Sequence, residues 1–207
     1  MTFVLPYRAV VVGASAGGPP ALTQVLAQLP SDYGLPVLVV QHVHPQQESA
    51  ILIYPPGCCA LQLKEADEKE RIQPGFVYFA PPNYHLLVED DYTLALSTDE
   101  RVNYARPSVD VLFESAAHVF GRSLVGIILS GANRDGAAGL RAVKRRGGLA
   151  IVQDPATAEV SQMPEAALAA TQVDHILSPQ AIGALLAKPM LAADESKQEG
   201  GFCESHN

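Results

Sequence analysis

Short, almost purely apolar rows separated by helical patterns constrain this chain more than any other feature. The rows are RAVVVG (8–13), PVLVVQH (36–42), FVYFA (76–80), HLLVE (85–89), LVGIILS (124–130) and LAIVQD (149–154). Between several of them lie PPALTQVLAQL (19–29), SVDVLFESAAHVF (108–120), GAAGLRAVKRR (136–146) and PEAALAA (164–170), with apolar residues at helical spacing. A strand with one wet face alternates apolar and polar residues. Rows with few polar interruptions need cover on both faces, which crossover helices supply. The pattern predicts an α/β fold: a doubly wound, three-layer domain with a mostly parallel sheet.

The middle departs from that rhythm. FVYFAPPNYHLLVEDDYTLALST offers three short strands with no helix between them and Glu89-Asp90-Asp91 at a turn, which predicts an antiparallel hairpin insertion. Upstream, QQESAILIYPPGCC starts like a helix and is stopped by Pro55, Pro56 and Gly57, since proline lacks an amide proton and restricts the residue before it. One domain is expected over 1–190. Residues 191–207, polar and without period, are expected to form a mobile tail.

Charge and composition narrow the function classes. The net charge of −8 argues against nucleic acid as a partner, because such binding needs a basic face to displace counterions. The one dense basic run, Lys144 to Arg146, precedes Gly147-Gly148 and reads as cations complementing a helix C-terminus. No apolar run approaches the length of a bilayer crossing, so direct membrane insertion is not expected. The start, MTFVLPYRAV, lacks the parts of a secretion signal, and a cytoplasmic location is expected. Cys58, Cys59 and Cys203 have neither a disulfide framework nor zinc spacing and are expected to be free thiols.

The chemistry concentrates at strand ends. Gly13-Ala14-Ser15-Ala16-Gly17 matches G-x-S-x-G between a strand and a helix, where small neighbours permit a tight turn and expose the serine hydroxyl. A dinucleotide fingerprint would need glycine where Ser15 stands, and no phosphate-loop lysine follows. Ser15 can be read as a nucleophile or as a helix N-cap beside a helix-packing Gly17-Gly18 pair. A serine nucleophile requires an imidazole to take its proton and a carboxylate to orient that imidazole. His42 ends the second row, and Asp135 follows the fifth within SGANRDGAAG. The loops after parallel strands emerge on one edge, so Ser15, His42 and Asp135 are expected to converge there in a hydrogen-bonded chain. Asp154, ending LAIVQD, competes with Asp135 on the same grounds, and Asp135 on its own reads first as a helix N-cap and only second as a catalytic acid. His42 and His44 form H-x-H, for which His85 is the ready third histidine, but no metal site is expected.

At these residues the chain resembles the catalytic domain of the chemotaxis protein-glutamate methylesterases, the CheB family. VVGASAGG, VVQH, EADEKERIQPGFVYFAPPNYHLL, RPSVDVLF, GIILSGANRDGAAGL and QDPATAEVSQMPEAAL correspond to that family's segments in order and spacing, over nearly everything between 8 and 187. The resemblance implies a carboxylic ester hydrolase that demethylates glutamate methyl esters on the cytoplasmic helices of chemoreceptors and also deamidates receptor glutamines. It implies Ser15 as nucleophile, His42 as general base then acid, and Asp135 rather than Asp154 as the orienting carboxylate. It further implies an oxyanion hole of the Ala16 and Ala132 backbone amides, and no cofactor.

Three departures accompany the resemblance. Many relatives carry a receiver domain before the esterase domain, whereas Ser15 stands so near the start that a stand-alone form is expected. GANRDG differs from the G-M-G-x-D-G of two-domain enzymes, which affects contacts near Ala132, Asn133 and Arg134. Pro55-Pro56 falls where the family has a longer helix beside the site. The rival readings are a general small-ester hydrolase, a non-catalytic signalling module of the same fold, and a nucleotide-binding protein.

Overall fold

The computed structural model describes residues 7–43 and 49–188. The tail expected over 191–207 and His44 lie outside the described residues. In chain order the strands are β1 (Ala9–Ala14), β2 (Val37–Gln41), β3 (Gln62–Glu65), β4 (Phe76–Phe79), β5 (His85–Val88), β6 (Leu94–Ser97), β7 (Leu124–Ile128), β8 (Leu149–Gln153) and β9 (His175–Leu177). The helices are α1 (Gly18–Leu26), α2 (Val109–Phe120), α3 (Ala137–Arg145), α4 (Gln162–Ala170) and α5 (Pro179–Leu186).

Seven strands form one sheet in the order β3-β4-β2-β1-β7-β8-β9, and every neighbouring pair in it is parallel. Every residue of β1, β2 and β7 is buried. Successive side chains on these strands serve opposite layers. Val11, Leu38 and Val40 pack in a core with Leu112 and Phe113 of α2, Leu140 of α3 and Ala167 of α4. Val10, Val12, Val37 and Val39 pack in the other with Leu22 and Val25 of α1 and Ile182 of α5. The apolar rows thus have a partner layer on each side, as both-face burial demands.

The hairpin region divides. β5 and β6 pair antiparallel, with His85 opposite Ser97 and Val88 opposite Leu94, and β5 lies against α2. β4, expected as part of that insertion, is instead an inner strand of the main sheet between β3 and β2. Two edge strands and the last helix stand outside the rows read from the sequence. β3 is QLKE and β9 is HIL; both are partly exposed, and at β3 the charges of Lys64 and Glu65 blunt an open edge. The helix start before Pro55 amounts, in its described part, to a single 3-10 turn at Ile51–Ile53.

Candidate active site

β1 lies centrally, with β2 on one side and β7 on the other, so the chain leaves β1 where the strand order diverges. Such a switch point opens a crevice at the carboxyl ends of the strands. Ser15 follows β1 directly, His42 follows β2, and Asp135 lies in the loop after β7.

The corner after β1 is built around glycine. Gly17 is the N-cap of α1 with φ 71°, and a Cβ there would lie 2.6 Å from both Ser130 Oγ and Glu159 Cβ. Only glycine tolerates that conformation and that crowding. Ser15 is therefore not the cap: it makes no capping bond, its amide donates to Ser130 O at 2.9 Å, and its carbonyl accepts the Gly18 amide at 2.9 Å. Pro19 and Pro20 open α1 without amide protons, and the Ala16 and Gly17 amides at this helix start have no acceptor among the described residues. Across the corner, a Cβ on Gly131 would lie 2.9 Å from Ser15 Cβ, so the loop after β7 packs directly on the serine.

The His42 ring joins Asp135 through Nε2, at 2.9 Å from Oδ2, with the histidine side chain 12% exposed and the aspartate fully enclosed. Five donors converge on Asp135. Oδ2 takes His42 Nε2 and the Val109 amide (2.7 Å); Oδ1 takes Ser108 Oγ (2.7 Å), Asn103 Nδ2 (3.0 Å) and the Asp110 amide (3.2 Å). Burial alone would raise this carboxyl, but the bonds from His42, Ser108 and Val109 outweigh it and hold Asp135 below its ordinary value. An acceptor-only carboxylate makes Nε2 the protonated ring nitrogen and leaves Nδ1 with the lone pair.

Asp135 is not the cap of α3, since Gly136 occupies that position. The α3 start is held by Asp110, whose Oδ1 accepts the Gly136 (2.9 Å) and Gly139 (2.6 Å) amides. Asn103 Nδ2 lies between the two carboxylates, 2.7 Å from Asp110 Oδ2. Burial pushes Asp110 up, the Gly139 amide pulls it back, and the Asp135 charge adds to the rise. Asp154 bonds the Ala156 amide at 3.0 Å to cap the turn Pro155–Thr157 rather than reaching His42. His85 is buried, with Nε2 on Glu100 O (3.0 Å) and Nδ1 accepting the Ser108 amide (3.2 Å), so it braces the residue that donates to Asp135.

Ser15, His42 and Asn133 share a cleft of about 420 Å³ with Asn103, Arg101 and Arg106. Its space is of the order expected for a small-ligand site. Among the described residues Ser15 Oγ has no hydrogen-bond partner, and His42 Nδ1 is met by Asn133 Nδ2 at 3.2 Å. The chain from Asp135 to His42 is thus closed in the resting site, while its last link to Ser15 is open. Apo sites often show such loose contacts. Neither the Ala16 nor the Ala132 amide has an acceptor among the described residues, and both residues are exposed.

Gln41 is the functional neighbour that motif reading passed over. Its Nε2 donates to Ser15 O at 2.9 Å and to His42 O at 2.8 Å, so one buried carboxamide clamps both residues. Its only signal in the sequence is a polar side chain closing an apolar row. Ser130 plays a similar part, donating to Ala16 O at 2.7 Å and accepting the Val160 amide at 2.9 Å.

The fold and this cleft define an α/β protein that gathers a serine, a histidine and an aspartate at the carboxyl edge of a parallel sheet. The family model described as CheB methylesterase matches residues 10–186. A solved structure, the Thermotoga maritima CheB methylesterase catalytic domain, superposes with a TM-score of 0.83 at 32% identity, covering 88% of this chain and 98% of that one. A Leptospira interrogans protein provisionally named protein-glutamate methylesterase/protein-glutamine glutaminase is 50% identical over 179 residues, 86% of this chain and 93% of its own. A Paraburkholderia xenovorans protein named protein-glutamate methylesterase/protein-glutamine glutaminase is 42% identical over 174 residues, and the chain spans only 48% of its length. The chain belongs to the CheB methylesterase family.

Proposed function

We propose that this protein is a protein-glutamate methylesterase acting on methylated glutamate side chains in the cytoplasmic helices of chemoreceptors. The observation that carries the reading is the His42–Asp135 pair set in one cleft with Ser15, in a chain half identical to a relative named for this activity.

Ser15 Oγ attacks the ester carbonyl while His42 takes its proton. The proton goes to Nδ1, because Nε2 is committed to Asp135; the ring is therefore used the opposite way round from the chymotrypsin arrangement. The tetrahedral oxyanion accepts the free Ala16 and Ala132 amides. Collapse breaks the bond to the methoxy group, which leaves as methanol with the proton from Nδ1. Water, activated by the same nitrogen, then cleaves the glutamyl ester of Ser15 and regenerates both the serine and a substrate carboxylate. Asp135 remains ionised throughout and stabilises the imidazolium.

The relatives' names also carry a glutaminase activity. An amide passes through the same tetrahedral intermediate, with ammonia leaving in place of methanol, so deamidation of receptor glutamine belongs to the same proposal. The experiment is methanol release from methylated chemoreceptor by wild type beside Ser15→Ala. Loss of release in the variant supports the reading. Hydrolysis of simple esters with none of methylated receptor overturns it in favour of a general esterase.

A further inference from the structure

The reacting nitrogen of the site has a partner outside the serine, histidine and aspartate. Asn133 lies in the loop after β7, with Oδ1 accepting the Asp135 amide at 2.9 Å and Nδ2 at 3.2 Å from His42 Nδ1. Its orientation is dictated rather than free. The Asp135 amide can only donate, so the carboxamide oxygen must face it and the NH2 must face the imidazole. Two donors cannot bond each other, so this contact requires an unprotonated Nδ1, which agrees with a protonated Nε2 on Asp135. One loop thus fixes the ring from both sides.

We propose that Asn133 is a catalytic partner of His42, holding Nδ1 unprotonated in the resting site and yielding that nitrogen to the Ser15 hydroxyl when the proton moves. The inference deepens the proposed esterase reading, whose base it concerns. A hydrogen bond donated to the neutral imidazole disfavours the imidazolium, whereas the Asp135 carboxylate favours it. Asn133 thus opposes Asp135 at the ring, one bond on each nitrogen. Once Nδ1 has taken the Ser15 proton it can no longer accept, and the Asn133 NH2 is released as charge develops on the substrate oxygen.

Other charges surround the ring. Asp135 faces it from the loop after β7, with Asp110 of α2 behind it through Asn103. Arg101 and Arg106 line the cleft from the segment before α2, together with the phenol of Tyr104. Glu159 lies beyond the nucleophile turn, against Gly17. None of these groups is altered by a change confined to Asn133, so a difference between variants isolates its contribution.

The test is titration of the full chain carrying 15N-labelled histidine, with the His42 ring signals assigned by their loss in His42→Gln. In wild type the neutral ring is expected as the Nε2–H form. Asn133→Ala is expected to raise the His42 midpoint by about half to one pH unit, the size of one neutral hydrogen bond. Asn133→Asp retains an acceptor for the Asp135 amide and replaces the donor by an oxygen that bonds the imidazolium, so it is expected to raise the midpoint further. If Asn133→Ala fails to fold, Asn133→Gly, which also lacks the donor and adds no charge, takes its place. An Nδ1–H form in wild type, or a midpoint not raised in the folded Asn133→Ala or Asn133→Gly variant, overturns the inference. The titration needs no substrate, so the expected shifts together with absent methanol release would sink the proposed function and leave the role of Asn133 standing.

Discussion

Replacing Gln41 by methionine removes both donors that tie the nucleophile to the base while keeping the length of the side chain. Gln41 is 2% exposed, so water does not replace the lost bonds. Ser15 O keeps the Gly18 amide and loses only its second partner, whereas the His42 O bond at 2.8 Å is lost outright. The Tyr54 hydroxyl loses a weaker contact at 3.3 Å. At about 1–3 kcal/mol for a buried polar group left unpaired, with the Ser15 side at the low end, the change costs about 2–4 kcal/mol. For a chain of this size that corresponds to roughly 5–15 °C in melting temperature. Catalysis is expected to fall further than stability implies, since a displacement of about 1 Å between reacting groups costs on the order of 100-fold. The assay is kcat on methylated receptor well below the melting transition, beside urea unfolding of the same preparation. A kcat within twofold of wild type, with the unfolding midpoint lowered as calculated, would make the clamp purely structural. An unchanged midpoint would refute the energetic reasoning as well.

Gly131→Ala is expected to reduce both stability and turnover, because the new Cβ would lie 1.9 Å from Met163 Sδ and 2.9 Å from Ser15 Cβ. Overpacking of this kind costs about 1–3 kcal/mol, and combination with Met163→Ala is expected to be less than additive in unfolding while turnover stays low. Asp135→Asn would turn an NH2 toward either two or three of the five donors around that site, so a loss of about 10⁴ in kcat and a lowered melting temperature are expected; near-normal turnover would count against the triad. Stability against pH contains two opposed carboxylates. Asp135, with its folded value lowered, stabilises fully above the unfolded value near about 3.9 and loses that contribution as pH falls through its folded value. Asp110, with its folded value raised, costs stability at neutral pH, and the cost is relieved as pH falls through that raised value. Asp110→Asn is therefore expected to flatten any gain in urea midpoint as pH falls from neutral toward the ordinary carboxylate range; an identical profile in the variant would remove Asp110 as its cause.

Much of the fold was legible because both-face burial leaves a compositional mark. β1, β2, β7 and β8 are mostly apolar and rich in valine, leucine and isoleucine, and α2 and α3 present apolar stripes to them. The edge strands were not legible. QLKE and HIL contact one neighbouring strand each, so exposed polar residues are tolerated there and no row forms. β4 has the same local pattern whether it closes a hairpin or joins the sheet. Only its pairing with Val37, Leu38 and Val39 of β2 settles the matter.

At the site, sequence alone determined that Ser15, His42 and Asp135 stand at strand ends, and in a parallel sheet all those ends share one edge. That follows from chain direction and requires no side-chain detail. Which carboxylate reaches His42, which ring nitrogen it takes and what meets the other were decided by tertiary structure. Asp135 and Asp154 both follow buried strands, yet only Asp135 stands where Ser108, Val109 and Asn103 arrive from another part of the chain to hold an ionised carboxylate. The bonds of Gln41 to Ser15 and of Asn133 to His42 join residues 26 and 91 positions apart. Local pattern records the burial and period of a segment, whereas a hydrogen bond between distant residues depends on rotamers and approach that exist only once the layers have packed.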